Sequence, residues 1–93
     1  MSVTLGQVVV SRAGRDTGRR FVVTKVVDEL FVQVCDGDLR RIEKPKKKRI
    51  KHLEPTSEMV VALAEKLKSN ARISNSDIRK ALAGQKSTLE RED

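Results

Sequence analysis

Four arginines are interleaved with two glycines in one short stretch, residues 11–20. Glycine permits positive φ and a close backbone approach, and each guanidinium presents forked donors that match phosphate oxygens. The stretch lacks the Gly-Lys-Ser/Thr ending of a nucleotide-binding P-loop. We therefore predict that this arginine–glycine loop binds phosphates, with its geometry set by Gly14 and Gly18; the alternative is a hairpin loop that arginine keeps soluble. The predicted contacts are Arg12, Arg15, Arg19 and Arg20.

A second candidate is the basic segment, residues 40–52, which holds eight Lys or Arg residues against Glu43 alone and so carries a charge of +7. The rest of the chain is neutral, because the 93 residues together hold 20 bases and 13 acids. Charge concentrated in this way favours polyanions, nucleic acid first and an acidic membrane surface second. The alternative is a solvated loop. The predicted contacts are Arg40, Arg41, Lys44, Lys46, Lys47, Lys48, Arg49, Lys51 and His52.

Residue types that commonly catalyse reactions or bind metals are few and scattered. His52 is the only histidine, and the sequence shows no evident partner for it. Cys35, the only cysteine, ends an apolar run and is predicted to be a buried packing residue. Asp36 and Asp38 flank Gly37, a spacing that turn chemistry explains. We therefore predict no enzymatic activity, no cofactor and no metal site.

The distribution of apolar residues bears on where the chain acts. No run approaches the roughly 20 apolar residues of a membrane-spanning helix, and no basic-then-apolar signal peptide opens the sequence. The polybasic run has no lipidation motif or adjacent apolar helix face to assist membrane attachment. A single cysteine fits a reducing compartment. We predict a cytoplasmic protein without a membrane partner.

A scaffold must position the basic residues, and the sequence predicts strands in the first part of the chain and helices in the second. β-Branched runs at residues 6–11, 21–27 and 30–35 predict three strands. The turn at residues 36–38 predicts a return strand over 39–42, after which Pro45 opens the basic segment as a loop. Residues 50–53 are predicted to be a short bent strand or partly a helical turn. Five short strands are typical of a small antiparallel barrel or sandwich.

The apolar period becomes helical after residue 55. A first helix is predicted behind a cap at Thr56 or Ser57, and residues 74–77 resemble a capping box that starts a second helix closed by Gly84. Residues 85–93 have little to bury and are predicted to fray. The predicted organisation is a barrel over residues 1–54, a helical extension over 55–84 and a tail over 85–93.

The strand, the arginine–glycine loop and the second strand together resemble the KOW motif. The resemblance is carried by Gly6 to Val10, Ala13 to Arg15, Gly18-Arg19 and Phe21 to Val23. More narrowly, Ala13 to Arg19, Val26 to Val32 and Ile50 to Thr56 resemble the ribosomal fourteen-e family of archaeal and eukaryotic large subunits, which is grouped with the six-e and twenty-seven-e proteins. Residues 36–48 and 74–82 resemble the small stand-alone bacterial KOW-containing RNA-binding proteins of that group. The resemblance covers residues 4–83.

The resemblance implies a mainly β fold, a small SH3-like barrel followed by two short helices. It also implies RNA binding, with ribosomal RNA, the large ribosomal subunit and neighbouring ribosomal proteins as partners. We predict a non-enzymatic protein that binds ribosomal RNA on the large subunit or its precursor. Phe21 and Phe31 both lie in strand patterns and are predicted to be core, so recognition should rest on backbone charge and RNA shape. The alternative is a KOW-type protein-interaction module acting on the transcription or translation machinery.

Overall fold

Strands fill the first two thirds of the chain and helices the last third. The computed structural model describes the backbone of residues 3–91 and the side chains of residues 3–83. The strands are β1 (Gln7–Ser11), β2 (Arg20–Val26), β3 (Phe31–Cys35), β4 (Lys46–Arg49) and β5 (Leu53–Met59). Two 3-10 helices span Gly14–Asp16 and Ile50–His52, and the α-helices are α1 (Val61–Lys68) and α2 (Asn75–Arg91).

The strands form one antiparallel sheet in the order β4-β3-β2-β1-β5. Consecutive strands pair from β1 to β4, and β5 returns to the free side of β1, as in a small SH3-like barrel. One face of the sheet forms the interior, because side chains alternate between the two faces of a strand. The fully buried side chains of this face are Val9, Phe21, Val23, Val32, Val34 and Leu53. The predicted mainly β fold with an α-helical extension is confirmed.

A second, smaller core lies on the opposite face of the sheet. Val22 and Cys35 are paired across β2 and β3, and both pack against Leu63 of α1 and Ile78 of α2. The helices therefore cover this part of the outer face. Cys35 is a free, buried cysteine, as predicted. Burial raises the pKa of its thiol, although a hydrogen bond with Thr24 acts in the opposite direction.

The fourth strand does not lie where the sequence placed it. Residues 39–42 form a loop, because Asp36 Oδ1 accepts the N–H groups of Asp38 and Arg40 at 2.9 Å and turns the chain back on itself. The strand that pairs with β3 is instead Lys46–Arg49, for which the sequence predicted a loop. Both predictions are wrong. Lysine-rich edge strands are common in proteins because charge discourages pairing with other chains.

The boundary between strand and helix also differs from the prediction. β5 runs to Met59, past the predicted division after residue 54, and α1 begins only at Val61. Thr56 does not cap a helix, because its Oγ1 donates to the carbonyl oxygen of Val8 at 2.7 Å and so secures β5 to β1. The helical turn predicted for residues 50–53 is present as the 3-10 helix Ile50–His52.

The predicted capping box of the second helix is confirmed. Ser74 Oγ accepts the Asp77 N–H at 3.1 Å, and Asp77 Oδ2 accepts the Ser74 N–H at 3.0 Å. Hydrogen bonding of the Asp77 carboxylate to the backbone N–H and the side chain of Ser74 lowers the pKa of Asp77. The helix does not stop at Gly84 but continues to Arg91, since a glycine inside a helix costs only about 1 kcal/mol relative to alanine. Residues 92 and 93, the end of the predicted tail, lie outside the described residues.

Candidate nucleic-acid interface

The arginine–glycine loop connects β1 to β2 and lies against the 3-10 helix that precedes β5. Gly14 and Gly18 have φ values of +77° and +90°, the left-handed region that favours glycine. The Arg12 N–H donates to the His52 carbonyl oxygen at 2.8 Å, which brings the loop beside the end of the basic segment. The Arg12 and Arg15 side chains are exposed and form no ion pair with the described residues.

An acid at the centre of the loop joins it to the basic segment. Asp16 is only 6% exposed, and its Oδ2 lies 3.3 Å from Arg40 Nη2 and 3.6 Å from Lys48 Nζ. Lys48 Nζ also donates to Ser11 Oγ at 3.1 Å. Burial raises the pKa of Asp16, but the charges and hydrogen bonds of Arg40 and Lys48 outweigh burial and hold that pKa below its usual value. Asp16, Arg40 and Lys48 therefore fix the loop against β4.

We expect Asp16→Asn to lower the free energy of unfolding by about 1–2 kcal/mol near neutral pH, because Arg40 and Lys48 lose their counter-charge. The folded-state pKa is lower than the unfolded one. This stabilisation is therefore present above about pH 4 and is lost as pH falls through the folded-state pKa. Urea denaturation of both proteins near pH 7 and near pH 2 measures the effect. A stability difference that is the same at both pH values would contradict the ion-pair assignment.

Arg19 and Arg20, at the end of the loop, are paired with acids of the chain itself. Arg19 Nη2 lies 3.5 Å from Asp36 Oδ2. Arg20 Nη2 donates to Glu58 Oε1 on β5 at 2.5 Å, and Arg20 Nη1 donates to the Leu82 carbonyl oxygen on α2 at 3.3 Å. Arg20 thus joins β2 to both β5 and α2, and each arginine would have to leave an internal partner in order to bind a phosphate.

β4 presents its four basic residues alternately to two faces. Lys46 and Lys48 stand opposite Val34 and Val32, whose side chains point into the barrel. The Lys48 side chain is only 10% exposed, and its ammonium lies 3.6 Å from Asp16 Oδ2. Long basic side chains often bury their methylene groups in this way. Lys48 therefore acts within the fold more than on its surface.

The other two basic residues of β4 flank an aromatic ring on the outer face. Lys47 Nζ lies 4.5 Å from the centre of the Phe31 ring, and Arg49 Cζ lies 5.3 Å from it, both within range of a cation–π contact. Phe21 is fully buried as predicted, but Phe31 is only half-buried, so its assignment to the core is wrong. The alternation in β3 contained the signal, since Gln33 marks the outward face and Phe31 lies two residues before it.

The predicted contacts thus form two sets within the described residues. Those in ion pairs are Arg19, Arg20, Arg40, Arg41 and Lys48. Those without an ion-pair partner among residues 3–83 are Arg12, Arg15, Lys44, Lys46, Lys47, Arg49 and Lys51; His52 is half-buried beside the loop. The two predicted segments are adjacent, because Asp16 ties the loop to Lys48 of β4 and Arg12 ties it to His52. They form one joined basic surface, which continues around the edge strand β4 to Lys47 and Arg49 on its outer face. Such a surface can neutralise several phosphates at once.

Metal sites and membrane-spanning helices are both absent from the described part of the chain. Within it, no group of three or more His, Cys, Asp or Glu residues is placed to hold a metal ion. None of the described helices combines the length and the apolar character that crossing a membrane requires.

Comparison with known proteins relates the chain to one group. No family model matches it. Large ribosomal subunit protein eL14 of Desulfurococcus amylolyticus is 34% identical over 59 residues, which are 63% of this chain and 62% of that protein. The eL14 protein of Pyrobaculum arsenaticum is 38% identical over 62% of this chain and 56% of its own length. The eL14 protein of Staphylothermus marinus is 29% identical over 63% of this chain and 62% of its own length. The chain thus spans about three fifths of the length of these relatives. The predicted resemblance to the fourteen-e family is confirmed, and the bacterial branch stays a prediction.

Proposed function

We propose that this chain, a relative of the eL14 proteins, is a non-enzymatic RNA-binding protein of the large ribosomal subunit or of a precursor of that subunit. The observation that carries the proposal is the joined basic surface. The arginine–glycine loop and β4 are held side by side through Asp16. Arg12 and Arg15 on the loop, and Lys47 and Arg49 on the outer face of β4, have no ion-pair partner among residues 3–83. The relatives are named as large-subunit proteins, which agrees with a phosphate-rich, folded RNA as the partner and with the cytoplasm as the site of action.

The basic residues that form ion pairs and those without an ion-pair partner among the described residues have different roles in binding. The paired cations, such as Arg20 and Lys48, position the loop and the strands. The unpaired cations are free to neutralise phosphates, and each neutralised phosphate releases condensed counterions. Contacts of this kind fix the position of a protein on RNA without reading the base sequence. The proposed recognition on this surface is therefore of backbone charge and RNA shape.

We expect the full chain to co-sediment with large subunits, or with their precursors, in sucrose gradients near physiological salt. Arg12→Gln combined with Arg15→Gln should shift the protein towards the top of the gradient, because the loop loses both unpaired arginines. The matched control is Lys66→Gln with Lys68→Gln, which removes the same charge from exposed positions on α1. Wild-type protein found only at the top of low-salt gradients would contradict the proposal. A high-salt wash would strip a peripheral factor and retain an enclosed component.

A protein-interaction module is the second candidate, and the turn between β2 and β3 favours it. Val26 and Leu30 are 44% and 54% exposed there, with Val27 between them. Exposed apolar groups of this kind can contact a protein neighbour. Co-purification with RNA polymerase in place of ribosomal subunits would favour this candidate over the first.

A further inference from the structure

The outer face of the sheet is only half covered by the helices. At one end Val22 and Cys35 lie beneath α1 and α2. At the other end, exposed or half-buried residues are paired across β2, β3 and β4. Lys25 lies opposite Gln33, and Gln33 lies opposite Lys47. Next to them, Phe31 lies opposite Arg49. Directly paired residues share a face, so these five side chains form one patch, the β-face patch. It consists of Lys25, Phe31, Gln33, Lys47 and Arg49.

The composition of the β-face patch fits an anionic partner that also has a flat apolar part. Three of its five residues are cations and none is an acid. The nearby Asp28 is engaged locally, since its Oδ1 accepts the N–H groups of Leu30 and Phe31 at 2.8 and 2.9 Å. Those bonds also fix the backbone from which the Phe31 side chain emerges. Residues two apart on a strand are ~6.7 Å apart, so Lys47 and Arg49 have a spacing comparable to that of neighbouring phosphates on one RNA strand.

We infer that the β-face patch binds an unpaired stretch of RNA, with one base stacked on Phe31 and the flanking phosphates held by Lys47, Arg49 and Lys25. Gln33 lies beside the ring, and its amide can both donate to and accept from a base edge. The inference rests on the proposed function and adds to it, because stacking selects unpaired nucleotides whereas the loop binds backbone charge.

The two cations over the Phe31 ring do not prevent stacking. In the free protein they cover the ring at 4.5 and 5.3 Å. An exposed cation–π contact is weaker than base–aromatic stacking, so a base can displace them. The displaced ammonium and guanidinium then lie next to the incoming phosphates, where they gain charge-assisted hydrogen bonds. In the free protein, the cation–π contacts therefore keep Lys47 and Arg49 next to the ring on which the base stacks.

Phe31→Leu tests the inference with two RNA probes, a single-stranded oligoadenylate and a fully paired duplex of the same length. We expect the oligoadenylate to bind about 10-fold more weakly, whereas duplex affinity changes by less than about twofold. Lys47→Gln should weaken the binding of both probes and lower the salt slope for the single strand by about 0.7. Leu39→Ala is the control for removal of an exposed apolar side chain elsewhere, and it should change neither affinity. A thermal melt of each variant checks that the fold persists.

Phe31→Trp supplies a direct readout of stacking. The chain has no Trp or Tyr, so the fluorescence of the introduced indole reports on this position alone. Oligoadenylate should quench the indole, and the duplex should quench it far less. No quenching by the single strand, or equal effects of Phe31→Leu on both probes, would overturn the inference. Duplex binding by the wild type would in that case leave the proposed function standing, whereas failure of the wild type to bind either RNA would overturn both.

Discussion

Replacement of Arg12, Arg15, Lys47 and Arg49 by Gln in one variant should reduce the affinity for structured ribosomal RNA about 10²–10³-fold near physiological salt. The slope of log K against log salt should fall by roughly 3, because four phosphate contacts and the counterions they release are lost. None of the four has an ion-pair partner within the described residues, so their removal leaves no internal acid uncompensated. Stability should therefore change little.

Fluorescence anisotropy with a labelled RNA over a salt series measures both quantities. The matched control removes the same charge from exposed positions of the helical extension, at Lys66, Lys68, Arg72 and Lys80. The two variants have the same net charge, so any difference between them reports the location of the cations. Equal losses of slope would show that net charge alone drives binding and that the joined basic surface has no special role.

Gly37→Ala should lower the free energy of unfolding by about 3–5 kcal/mol, because it combines left-handed backbone strain with overpacking. Gly37 has a φ of +79°, and a Cβ there would lie 2.4 Å from the Asn75 carbonyl oxygen and 2.9 Å from Arg79 Cγ. Arg79 Nη1 also donates to the Gly37 carbonyl oxygen at 2.6 Å. The added methyl group would therefore push α2 away from the barrel.

Gly18→Ala is the matched control for Gly37→Ala. Gly18 has a φ of +90°, but nothing lies within 4 Å of the added Cβ, so only the backbone strain of about 1–2 kcal/mol applies. Urea denaturation compares the two variants. Cys35 supplies a second measurement, because it is buried beneath α1 and α2 and should react with a thiol reagent faster in Gly37→Ala. Equal stability and equal thiol reactivity would contradict the proposed contact between Gly37 and α2.

Much of the fold was predictable because its signals are local. The β-branched runs that became β1, β2 and β3 and the reciprocal capping box of Ser74 and Asp77 depend on residues within a few positions of each other. The same holds for the turn at Asp36, whose side chain accepts N–H groups two and four residues ahead. The errors occurred where a distant partner decided the conformation. Lys46–Arg49 is a strand because it pairs with the edge of β3. Thr56 is in a strand because its hydroxyl donates to the Val8 carbonyl oxygen.

The candidate site divides in the same way. By itself the sequence determined where the charge is concentrated, which glycines turn the loop and which family the chain resembles. Only the tertiary structure decided which cations are free to bind a partner. Asp16 meets Arg40 and Lys48 across 24 and 32 positions of the sequence, and Arg20 meets Glu58 across 38. Charge is a property of each residue, whereas its neutralisation requires a counter-charge within a few ångströms, and folding sets that distance.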